Sequence, residues 1–482
     1  MESANAAVAA SHPLAAEAAM EMLRRSGTAA DAAIAAAAML TVVEPTGCGL
    51  GGDAFAQYWD GSGLHGLNAS GRSPALLTAQ DIPLDGWLSV TTPGQVAGWV
   101  ALWKRFGSLP FEVLLEPAIR VAREGFTVTP HVAAGIVRSK ERFAGVEGCE
   151  EWFRLFGDIG EHFENPDLAG ALSSIAETEG SSFYTGGLAE AIDATSRAQG
   201  GLLRSADLAG FRVEWVKPLQ VTAFGATLHE IPPNSQGIAA LLALSLLGKS
   251  DGSLHAEVES MKAAFSALYS SIGDGDPHGI VLSSDLPRTA SKPRPWHPRH
   301  GGTVCLAVGA PDGTMCSFIQ SNYCGFGSGV VVPGTGITLQ NRGAGFVNQP
   351  RHPNHVGPNK RPLHTIIPGF ITRDGAPLCA FGWMGGPMQP QGHLQFMRRV
   401  YRDGEPIQAA IDAPRWQAAG GKSIWVEEGF DTEELIEMGH EVERREAIHF
   451  GGAQAVCRLP DGNYTGGSDL RKDGLLLLED IT

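Results

Sequence analysis

The spacing of apolar residues in the first part of the chain predicts helices. The segment HPLAAEAAMEMLRRSG (12–27) is rich in strong helix formers and ends with two arginines and a glycine, which is typical of a helix C-terminus. The next segment, AADAAIAAAAML (29–40), is small and apolar on nearly every face, so we expect a fully buried helix. Further helices are predicted over residues 94–125, 176–199, 237–248 and 254–272.

Strand-forming patterns dominate after residue 302. TVCLAV (303–308) and TMCSFIQS (314–321) flank the turn PDG and predict a β-hairpin. RPLHTIIPGFITRDGAPLCAFGWMGG (361–386) predicts two more strands around a second turn, RDG. Earlier, FRVEWVKPLQVTAFGATLHEI (211–231) predicts two strands, whereas residues 391–417 return to a helical pattern. Helix-rich sequence followed by strand-rich sequence indicates a layered α/β (α+β) protein in which helices cover stacked sheets.

A change of composition separates these two parts. Residues 286–302 are rich in proline, serine and basic residues, which is the chemistry of a linker. The linker ends in Gly301 and Gly302, and Thr303 opens the strand that follows. A flexible connection directly before this threonine makes Thr303 a candidate functional residue.

The net charge of the chain indicates which classes of binding partner are unfavourable. The formal net charge is −16, which argues against nucleic acid and anionic membranes. Basic residues are nevertheless concentrated in the linker and in the sequence that follows it: Arg288, Lys292, Arg294, Arg299, Arg351, Lys360 and Arg361. A local cationic pocket of this kind suits a small anionic substrate. Solvated loop charge is the alternative interpretation for any one of them.

The cysteines and the N-terminus indicate the compartment. Seven cysteines form no CxxC pair, so the sequence predicts neither a disulfide framework nor a zinc ribbon, and a reducing compartment fits. The N-terminus MESANAAVAASHPL lacks the basic region of a signal peptide, and the longest apolar stretch (32–43) is too short to span a bilayer. We therefore expect a cytoplasmic protein, or a periplasmic one only if a leader has been removed.

Most catalytic motifs are absent from the sequence. GCGLGG (47–52) has the spacing of GxGxxG, but a helix precedes it and a strand follows, the reverse of a dinucleotide site. We interpret these glycines as positions of close backbone packing. No GxSxG, HExxH or Walker motif is present. Ordinary surface or core positions are expected for His255, His278, His297 and His300, and buried thiols for Cys305 and Cys316.

Thr303 is the strongest candidate for a nucleophile. A threonine hydroxyl needs a base beside it, and an N-terminal threonine carries one in its own α-amino group, with a reference pKa of about 7.7–8.0. Cleavage of the Gly302–Thr303 bond would create that N-terminus, and the preceding glycines would tolerate the strained backbone that self-attack requires. A β-branched residue that simply opens a strand is the alternative interpretation.

Longer motifs make the chain similar to a known family. In chain order they are VVEPTGCGLGGDAF (42–55), TTPGQVAGWVALWKRFG (91–107), LLEPAIRVAREGF (114–126), ADLAGFRVEWVKPL (206–219), FGSGVVVPGTGITLQN (326–341), VGPNKRPLH (356–364), GWMGGPMQ (382–389) and DAPRW (412–416). Together they resemble the gamma-glutamyltranspeptidase family of N-terminal nucleophile hydrolases over nearly the whole chain. The resemblance implies a four-layer αββα sandwich and no metal, nucleotide or redox cofactor.

The resemblance also implies maturation by self-cleavage between Gly302 and Thr303. The products would be a large subunit of residues 1–302 and a small subunit of residues 303–482, with a dimer of processed heterodimers as a further option. In the mature enzyme the Thr303 hydroxyl would be the nucleophile. Backbone N–H groups of Gly385 and Gly386 would form the oxyanion hole, and Ser321 would support the nucleophile.

The substrate pocket departs from the family pattern. In NASGRSP (68–74), Ser70 stands where the family has the arginine that binds the substrate α-carboxylate, and Arg72 is a candidate replacement. The other substituted positions are His364 and Thr365 for two carboxylate-binding serines, Tyr323 for a substrate-contacting asparagine, and Arg342 and Gly345 for the glutamine and aspartate that bind the α-amino group.

These substitutions favour binding of an anionic substrate group over binding of a substrate ammonium group, because the pocket loses a carboxylate and gains a guanidinium. We therefore expect an autoprocessing amidohydrolase that acts on a small anionic amide. Its acyl group would carry a carboxylate but no α-amino group, as in oxamate or glutaryl amides. Hydrolysis is expected rather than transfer. Two alternatives stay open: a γ-glutamyl hydrolase or transpeptidase for glutathione-like substrates, and an unprocessed relative that binds ligands without catalysis.

Overall fold

The computed structural model describes residues 2–275, 286–292 and 301–482. Arg294, Arg299, His278, His297 and His300, and with them part of the predicted linker, lie outside the described residues. The helices are α1 (Pro13–Arg24), α2 (Ala29–Val43), α3 (Gln95–Phe106), α4 (Phe111–Glu124), α5 (Pro130–Phe143), α6 (Glu150–Phe156), α7 (Pro166–Glu177), α8 (Ser181–Thr185), α9 (Gly187–Ala198), α10 (Ser205–Ala209), α11 (Gly237–Leu247), α12 (Leu254–Ser271), α13 (Met388–Phe396), α14 (Ile407–Asp412) and α15 (Glu433–Glu437). Short 3₁₀ turns span Trp87–Ser89, Arg342–Gly345 and Ala447–Phe450, and a π-helical turn spans Met397–Arg402.

The strands form two large sheets and three small ones. They are β1 (Ala6–Ala10), β2 (Asp53–Trp59), β3 (Leu64–Ala69), β4 (Phe126–Thr127), β5 (His162–Phe163), β6 (Glu214–Val216), β7 (Leu219–Ala223), β8 (Ala226–Glu230), β9 (Gly302–Gly309), β10 (Met315–Tyr323), β11 (Val331–Val332), β12 (Ile337–Thr338), β13 (Pro368–Arg373), β14 (Ala376–Trp383), β15 (Trp416–Gly420), β16 (Ser423–Val426), β17 (Glu441–Arg444), β18 (Ala453–Arg458), β19 (Tyr464–Ser468) and β20 (Leu475–Glu479). One large sheet has the order β20-β1-β9-β10-β2-β3-β6, and the other has the order β19-β18-β14-β13-β8-β7.

The two large sheets stack face to face between two layers of helices. Apolar residues of the first sheet, such as Ala307, pack against Phe370 and Val456 of the second. Helices α1 to α4 and α7 share a core with the outer face of the first sheet, and α11, α12 and α13 share one with the outer face of the second. The order of layers is therefore helix, sheet, sheet, helix, and the αββα sandwich expected from the sequence is confirmed.

Side-chain alternation along β9 decides where Thr303 points. Val304 and Leu306 belong to the core under the helices, whereas Cys305 and Ala307 belong to the clusters between the sheets. Successive side chains of a strand point to opposite faces. Thr303 therefore faces the second sheet, on the same side as Cys305.

Three of the predicted elements are interrupted in the structure. The region 176–199 holds the end of α7 and the separate helices α8 and α9, with breaks at Gly180 and Gly186.

Proline explains the other two cases. The region 94–125 is two helices, because Pro110 disfavours helical geometry at the residue before it, and α4 begins only at Phe111. The region 211–231 holds three strands rather than two. Pro218 interrupts the extended run between β6 and β7, and the chain crosses there from the first sheet to the second.

Smaller corrections concern the later helical region and the cysteines. The region 391–417 begins as helix at Met388 but ends in β15, from Trp416. Cys379 of β14 and Cys457 of β18 lie directly opposite each other, with 4.0 Å between their Cα atoms, and form a disulfide. This disulfide was not predicted, because 78 residues separate the two cysteines and only the pairing of β14 with β18 brings them together. Cys305 and Cys316 are buried free thiols, as predicted.

Among the described helices, none is both long and apolar enough to cross a bilayer.

The described part of the linker is anchored to the protein at Ala290 and Ser291, whereas Arg288 and Lys292 are exposed. The Ala290 N–H donates to the Met438 carbonyl at 2.8 Å, and Ser291 donates to the Glu259 carboxylate through both its N–H and its hydroxyl. Lys262, almost fully buried, donates to Glu259 at 2.6 Å and to the Ser291 carbonyl at 2.7 Å. The segment before the predicted cleavage position is thus held by residues from both predicted subunits.

Candidate active site

Thr303 lies at the start of β9 and is almost completely buried. Its hydroxyl is 3.5 Å from the Ser321 hydroxyl on the neighbouring strand β10. Ser321 is fixed by two further hydrogen bonds: its Oγ donates to the Gly302 carbonyl oxygen at 2.6 Å and accepts from the Tyr323 N–H at 2.7 Å. The pairing register of β9 and β10 shifts between Gln320 and Tyr323, so the strand is irregular where it reaches Gly302. The structure therefore brings together Gly302, Thr303 and Ser321.

The glycine-rich segment 47–52 packs against this centre. A Cβ on Gly49 would lie 2.0 Å from the Thr338 Oγ1 and 2.9 Å from the Asn322 amide, and one on Gly47 would lie 3.3 Å from the Thr303 carbonyl oxygen. No side chain fits in such a gap. Close backbone packing, the interpretation made from the sequence, is the one the structure supports, and α2 and β2 flank the segment in the expected order.

Gly385 and Gly386 form a tight turn between β14 and α13. Their φ angles are +106° and +59°, and a Cβ on Gly385 would approach the Gly451 Cα to 3.0 Å. Gln236 anchors the turn by donating to the Gly386 carbonyl at 2.8 Å. Within the described part of the chain, the N–H groups of both glycines have no acceptor. A Cβ on Gly301 would lie 3.7 Å from the Gly386 Cα, so the turn is next to the chain that leads into Thr303.

Arg342 is fully buried in the 3₁₀ turn after β12. Its Nη1 donates to the Thr365 hydroxyl at 2.8 Å, and its guanidinium carbon lies 4.1 Å from the centre of the Tyr323 ring, a cation–π contact. Its Nε and Nη2 have no hydrogen-bond partner among the described residues. Burial lowers the pKa of Arg342 to about 10, opposed by Tyr323 and Asp53, so the group stays cationic at neutral pH.

The two unpartnered nitrogens of Arg342 form one edge of its guanidinium. The same pair of atoms in Arg24 binds the Glu479 carboxylate, with Nε at 2.9 Å from one oxygen and Nη2 at 2.6 Å from the other. A carboxylate therefore matches the free edge of Arg342 in both charge and shape. Because Gln236 donates to both the Thr365 and the Gly386 carbonyls, Arg342 is linked through Thr365 to the glycine turn.

Asp53 is a fully buried site residue that the sequence analysis missed. Its Oδ1 accepts from the N–H groups of Gly71 and Gly94, at 3.1 Å each, and its Oδ2 lies 3.2 Å from the His364 Nε2. It pairs across the sheet with Ser321. Burial raises its pKa to about 7, opposed by the Gln340 side chain, the charge of Arg342 and the two N–H groups. An aspartate directly after two glycines, opening a buried strand, was the available signal.

Both ring nitrogens of His364 have hydrogen-bond partners within the protein, unlike the Nε and Nη2 atoms of Arg342. His364 is fully buried, and its Nδ1 accepts the Ile366 N–H at 3.3 Å, so the proton is on Nε2 and points to Asp53. Burial, Arg342 and Arg361 hold its pKa well below the usual value, so the ring is neutral. Thr365, the other residue at a predicted carboxylate-binding position, contacts Arg342 directly.

Ser70 and Arg72 are held by partners other than Arg342. The Ser70 hydroxyl is held by Asn68 and Asn234 at 2.7 and 3.1 Å, and Arg72 pairs with Asp274. Both line a cavity of about 370 Å³, together with the Arg361–Glu214 ion pair. Neither Thr303 nor Arg342 is among the described residues that line this cavity. The structure thus pairs the Arg72 guanidinium with Asp274, and its predicted part in binding a substrate carboxylate stays a prediction.

A cluster of potential metal ligands lies under the linker. Ligand atoms of His255, Glu259 and His440 lie within 4.8 Å of one another, a grouping that the sequence spacing did not reveal. The cluster is already occupied by hydrogen bonds, because His255 contacts both the Pro287 carbonyl and His440, at 2.9 Å each. Lys262 places an ammonium 2.6 Å from Glu259. That charge neutralises the carboxylate and opposes a divalent cation, so the cluster fits a linker anchor better than a metal site.

Comparisons with known proteins agree over the whole chain. The profile of the family described as Gamma-glutamyltranspeptidase matches residues 15–477. The Glutathione hydrolase-like YwrD proenzyme of Bacillus subtilis (strain 168) is 34% identical, covering 97% of this chain and 97% of the relative. The Oxamate amidohydrolase proenzyme of Klebsiella pneumoniae is 33% identical, covering 96% and 97%. The crystal structure of cephalosporin acylase from Bacillus halodurans superimposes with a TM-score of 0.94 and 41% identity, covering 100% of this chain and 97% of that one.

The chain therefore belongs to the gamma-glutamyltranspeptidase family, and it is an amidohydrolase of the N-terminal nucleophile type.

Proposed function

We propose that the protein is an autoprocessing amidohydrolase that cleaves small amides with an anionic acyl group through a Thr303 ester. The observation that carries this proposal is the arrangement around Gly302. The Thr303 hydroxyl, the Ser321 hydroxyl and the Gly302 carbonyl form one hydrogen-bonded group in the uncut chain. Two related proteins are named as proenzymes, which agrees with maturation from a single precursor.

In the proposed self-cleavage, these three groups react with one another. The Thr303 Oγ1 attacks the Gly302 carbonyl carbon, and the hydrogen bond from Ser321 stabilises the negative charge that develops on the carbonyl oxygen. The C–N bond breaks and the nitrogen takes up the hydroxyl proton, which leaves an ester between Gly302 and the Thr303 oxygen. Water hydrolyses this ester. The products are residues 1–302 with a new carboxylate and residues 303–482 with a free α-amino group.

Turnover uses the same oxygen with a new base. The α-amino group of Thr303 accepts the hydroxyl proton as Oγ1 attacks the substrate amide, and the leaving amine takes that proton when the amide bond breaks. The N–H groups of Gly385 and Gly386, which have no acceptor within the described chain, bind the oxyanion. Water then attacks the ester and releases the acid.

The acyl group is assigned from Arg342. Its free Nε and Nη2 edge would hold a carboxylate of the substrate, and the Tyr323 ring under the guanidinium keeps that edge in place. No buried carboxylate among the described residues stands free beside Arg342 to bind an α-ammonium, because Asp53 is fully occupied. A glutaryl or oxamate amide fits this site better than a γ-glutamyl amide. The name of the Klebsiella relative agrees with such a substrate.

The intact masses of the purified wild type and of Thr303→Ala and Thr303→Ser, measured under denaturing conditions, test the proposal. The wild type should give fragments that end at Gly302 and begin at Thr303, Thr303→Ser should still split, and Thr303→Ala should stay whole. Hydrolysis of glutaryl, oxamate and γ-glutamyl amides is then compared. If the wild type stays intact after long incubation, Thr303 has no free α-amino group to act as the base. That result would favour the alternative of an unprocessed protein that binds ligands without catalysis.

A further inference from the structure

The Nε and Nη2 atoms of the buried Arg342 have no partner among the described residues, and this requires a physical explanation. A buried guanidinium without a counter-ion is costly, and a nearby carboxylate would normally pair with it. Asp53 is close enough to raise the pKa of Arg342, yet the two groups form no ion pair. Something in the site must hold the carboxylate away from the free edge of the guanidinium.

The hydrogen bonds of Asp53 supply that cause. Gly71 and Gly94 hold one carboxylate oxygen, and His364 holds the other with its Nε2 proton. The Ile366 N–H fixes the ring of His364 from the opposite side, so this donor cannot become an acceptor without losing a buried hydrogen bond. A neutral imidazole therefore occupies the oxygen with which Asp53 would otherwise bind Arg342.

We propose that Asp53 and His364 are positioning residues which keep Arg342 unpaired and so set the preference for an anionic acyl group. The inference rests on the proposed function, since it assumes that Arg342 binds the substrate carboxylate. Asp53 stabilises the buried guanidinium through space without occupying it. His364 holds the Oδ2 atom of Asp53, and the substrate carboxylate completes the ion pair that the protein leaves open. This indirect role is an alternative to the direct carboxylate contact that the sequence analysis expected of His364.

The proposal makes opposite predictions for two changes. In His364→Leu the donor is lost, Asp53 turns to Arg342, and a substrate carboxylate must displace it, so binding weakens at least tenfold. In the double variant Asp53→Asn/His364→Leu the competing charge is gone, and binding returns to within about threefold of the wild type. His364→Gln keeps an N–H donor and should resemble the wild type. A merely structural role would predict additive losses instead.

Glutarate binding to the processed enzyme, measured by calorimetry, is the first readout because it does not require turnover. The second is the KM and kcat of glutaryl p-nitroanilide compared with the uncharged pentanoyl p-nitroanilide. His364→Leu should raise the glutarate Kd and the KM of the charged amide, leave kcat within about threefold, and leave the uncharged amide unaffected. Thermal melting identifies variants that fail to fold. If His364→Leu is one of them, Asp53→Asn carries the comparison: it removes the competing charge and should bind glutarate at least as tightly as the wild type at pH 8, and weaker binding would overturn the proposal.

The variant Arg342→Met distinguishes failure of the proposed function from failure of the positioning role of Asp53 and His364. If Arg342→Met leaves glutarate binding and the charge preference unchanged, the assignment of Arg342 in the proposed function is wrong. If Arg342→Met abolishes both but His364→Leu binds glutarate normally, or the double variant shows no recovery, the positioning role of Asp53 and His364 is overturned while the proposed function stands.

Discussion

The Ser321 hydroxyl donates a 2.6 Å hydrogen bond to the carbonyl oxygen of Gly302, the group that self-cleavage must attack. The same hydroxyl is 3.5 Å from the Thr303 nucleophile and receives the Tyr323 N–H. In the uncut chain, Ser321 is thus oriented toward the electrophile more closely than toward the nucleophile. Under the proposed mechanism, Ser321 would act in maturation as well as beside the mature threonine.

Ser321→Ala should slow self-cleavage by about 10²–10³-fold, because the developing oxyanion loses a preorganised donor. The measurement is the fraction of intact chain over time, by mass spectrometry of freshly synthesised protein. Ser317→Ala is the matched control: Ser317 lies on the same strand and face, is equally buried, and donates to the Phe381 carbonyl at 2.7 Å. Equal cleavage rates in the two variants would exclude the role of Ser321.

Gly385→Ala should reduce turnover by at least about 100-fold in processed enzyme. The added Cβ would lie 3.0 Å from the Gly451 backbone, and its φ of +106° is strained for alanine, so the turn must shift and its N–H groups move away from the oxyanion. The check is kcat with an amide substrate. Gly63→Ala, at a position with open space around it, should keep wild-type activity. A normal kcat for Gly385→Ala would place the oxyanion hole elsewhere.

Binding of an anionic substrate should weaken as the pH rises from 6 to 8. The raised pKa of Asp53, about 7, means that this carboxyl is protonated below that pH and negative above it. Its negative charge beside Arg342 partly cancels the cation that attracts the substrate carboxylate. The neighbouring His364 stays neutral in this range, because its pKa is held well below the usual value, and Arg342 stays cationic.

The glutarate Kd as a function of pH checks this expectation. The bound anion should raise the pKa of Asp53 further, so binding at pH 7 should take up protons, seen as a dependence of the calorimetric heat on the buffer. Asp53→Asn should flatten the pH dependence and remove the proton uptake. A glutarate Kd that is constant from pH 6 to 8 in the wild type would show that Asp53 does not titrate there.

Lys262→Met should destabilise the protein by about 3–5 kcal/mol, because Glu259 would be left as a buried charge without its partner. The measurement is the free energy of unfolding of the uncleavable Thr303→Ala chain in denaturant, with and without the substitution. The control is Lys249→Met, which changes an exposed lysine and should alter the free energy of unfolding by less than about 0.5 kcal/mol. Since Lys262 also holds the Ser291 carbonyl, residues 286–292 should become sensitive to proteases only in Lys262→Met.

Local patterns predicted most elements of the fold and part of the site. The buried helix around Ile34, the hairpin of β9 and β10 and the packing of Gly49 all follow from periodicity, turn residues and the lack of a side chain. The predicted element boundaries near Pro110 and Pro218 were wrong. A single proline restricts the backbone of its neighbours, and hydrophobic periodicity averaged over a whole segment does not show that effect.

The sequence by itself determined the layered class of fold, the threonine at the start of β9, and the presence of Arg342 where the family has an uncharged glutamine, since these depend on residue type and local order. Only the tertiary structure decided that Asp53 and His364 meet, that Cys379 faces Cys457, and that Arg72 turns away to Asp274. Each of these contacts joins residues far apart in the chain. Local propensities carry no information about such pairs, because the sheet register and the stacking of the two sheets create them.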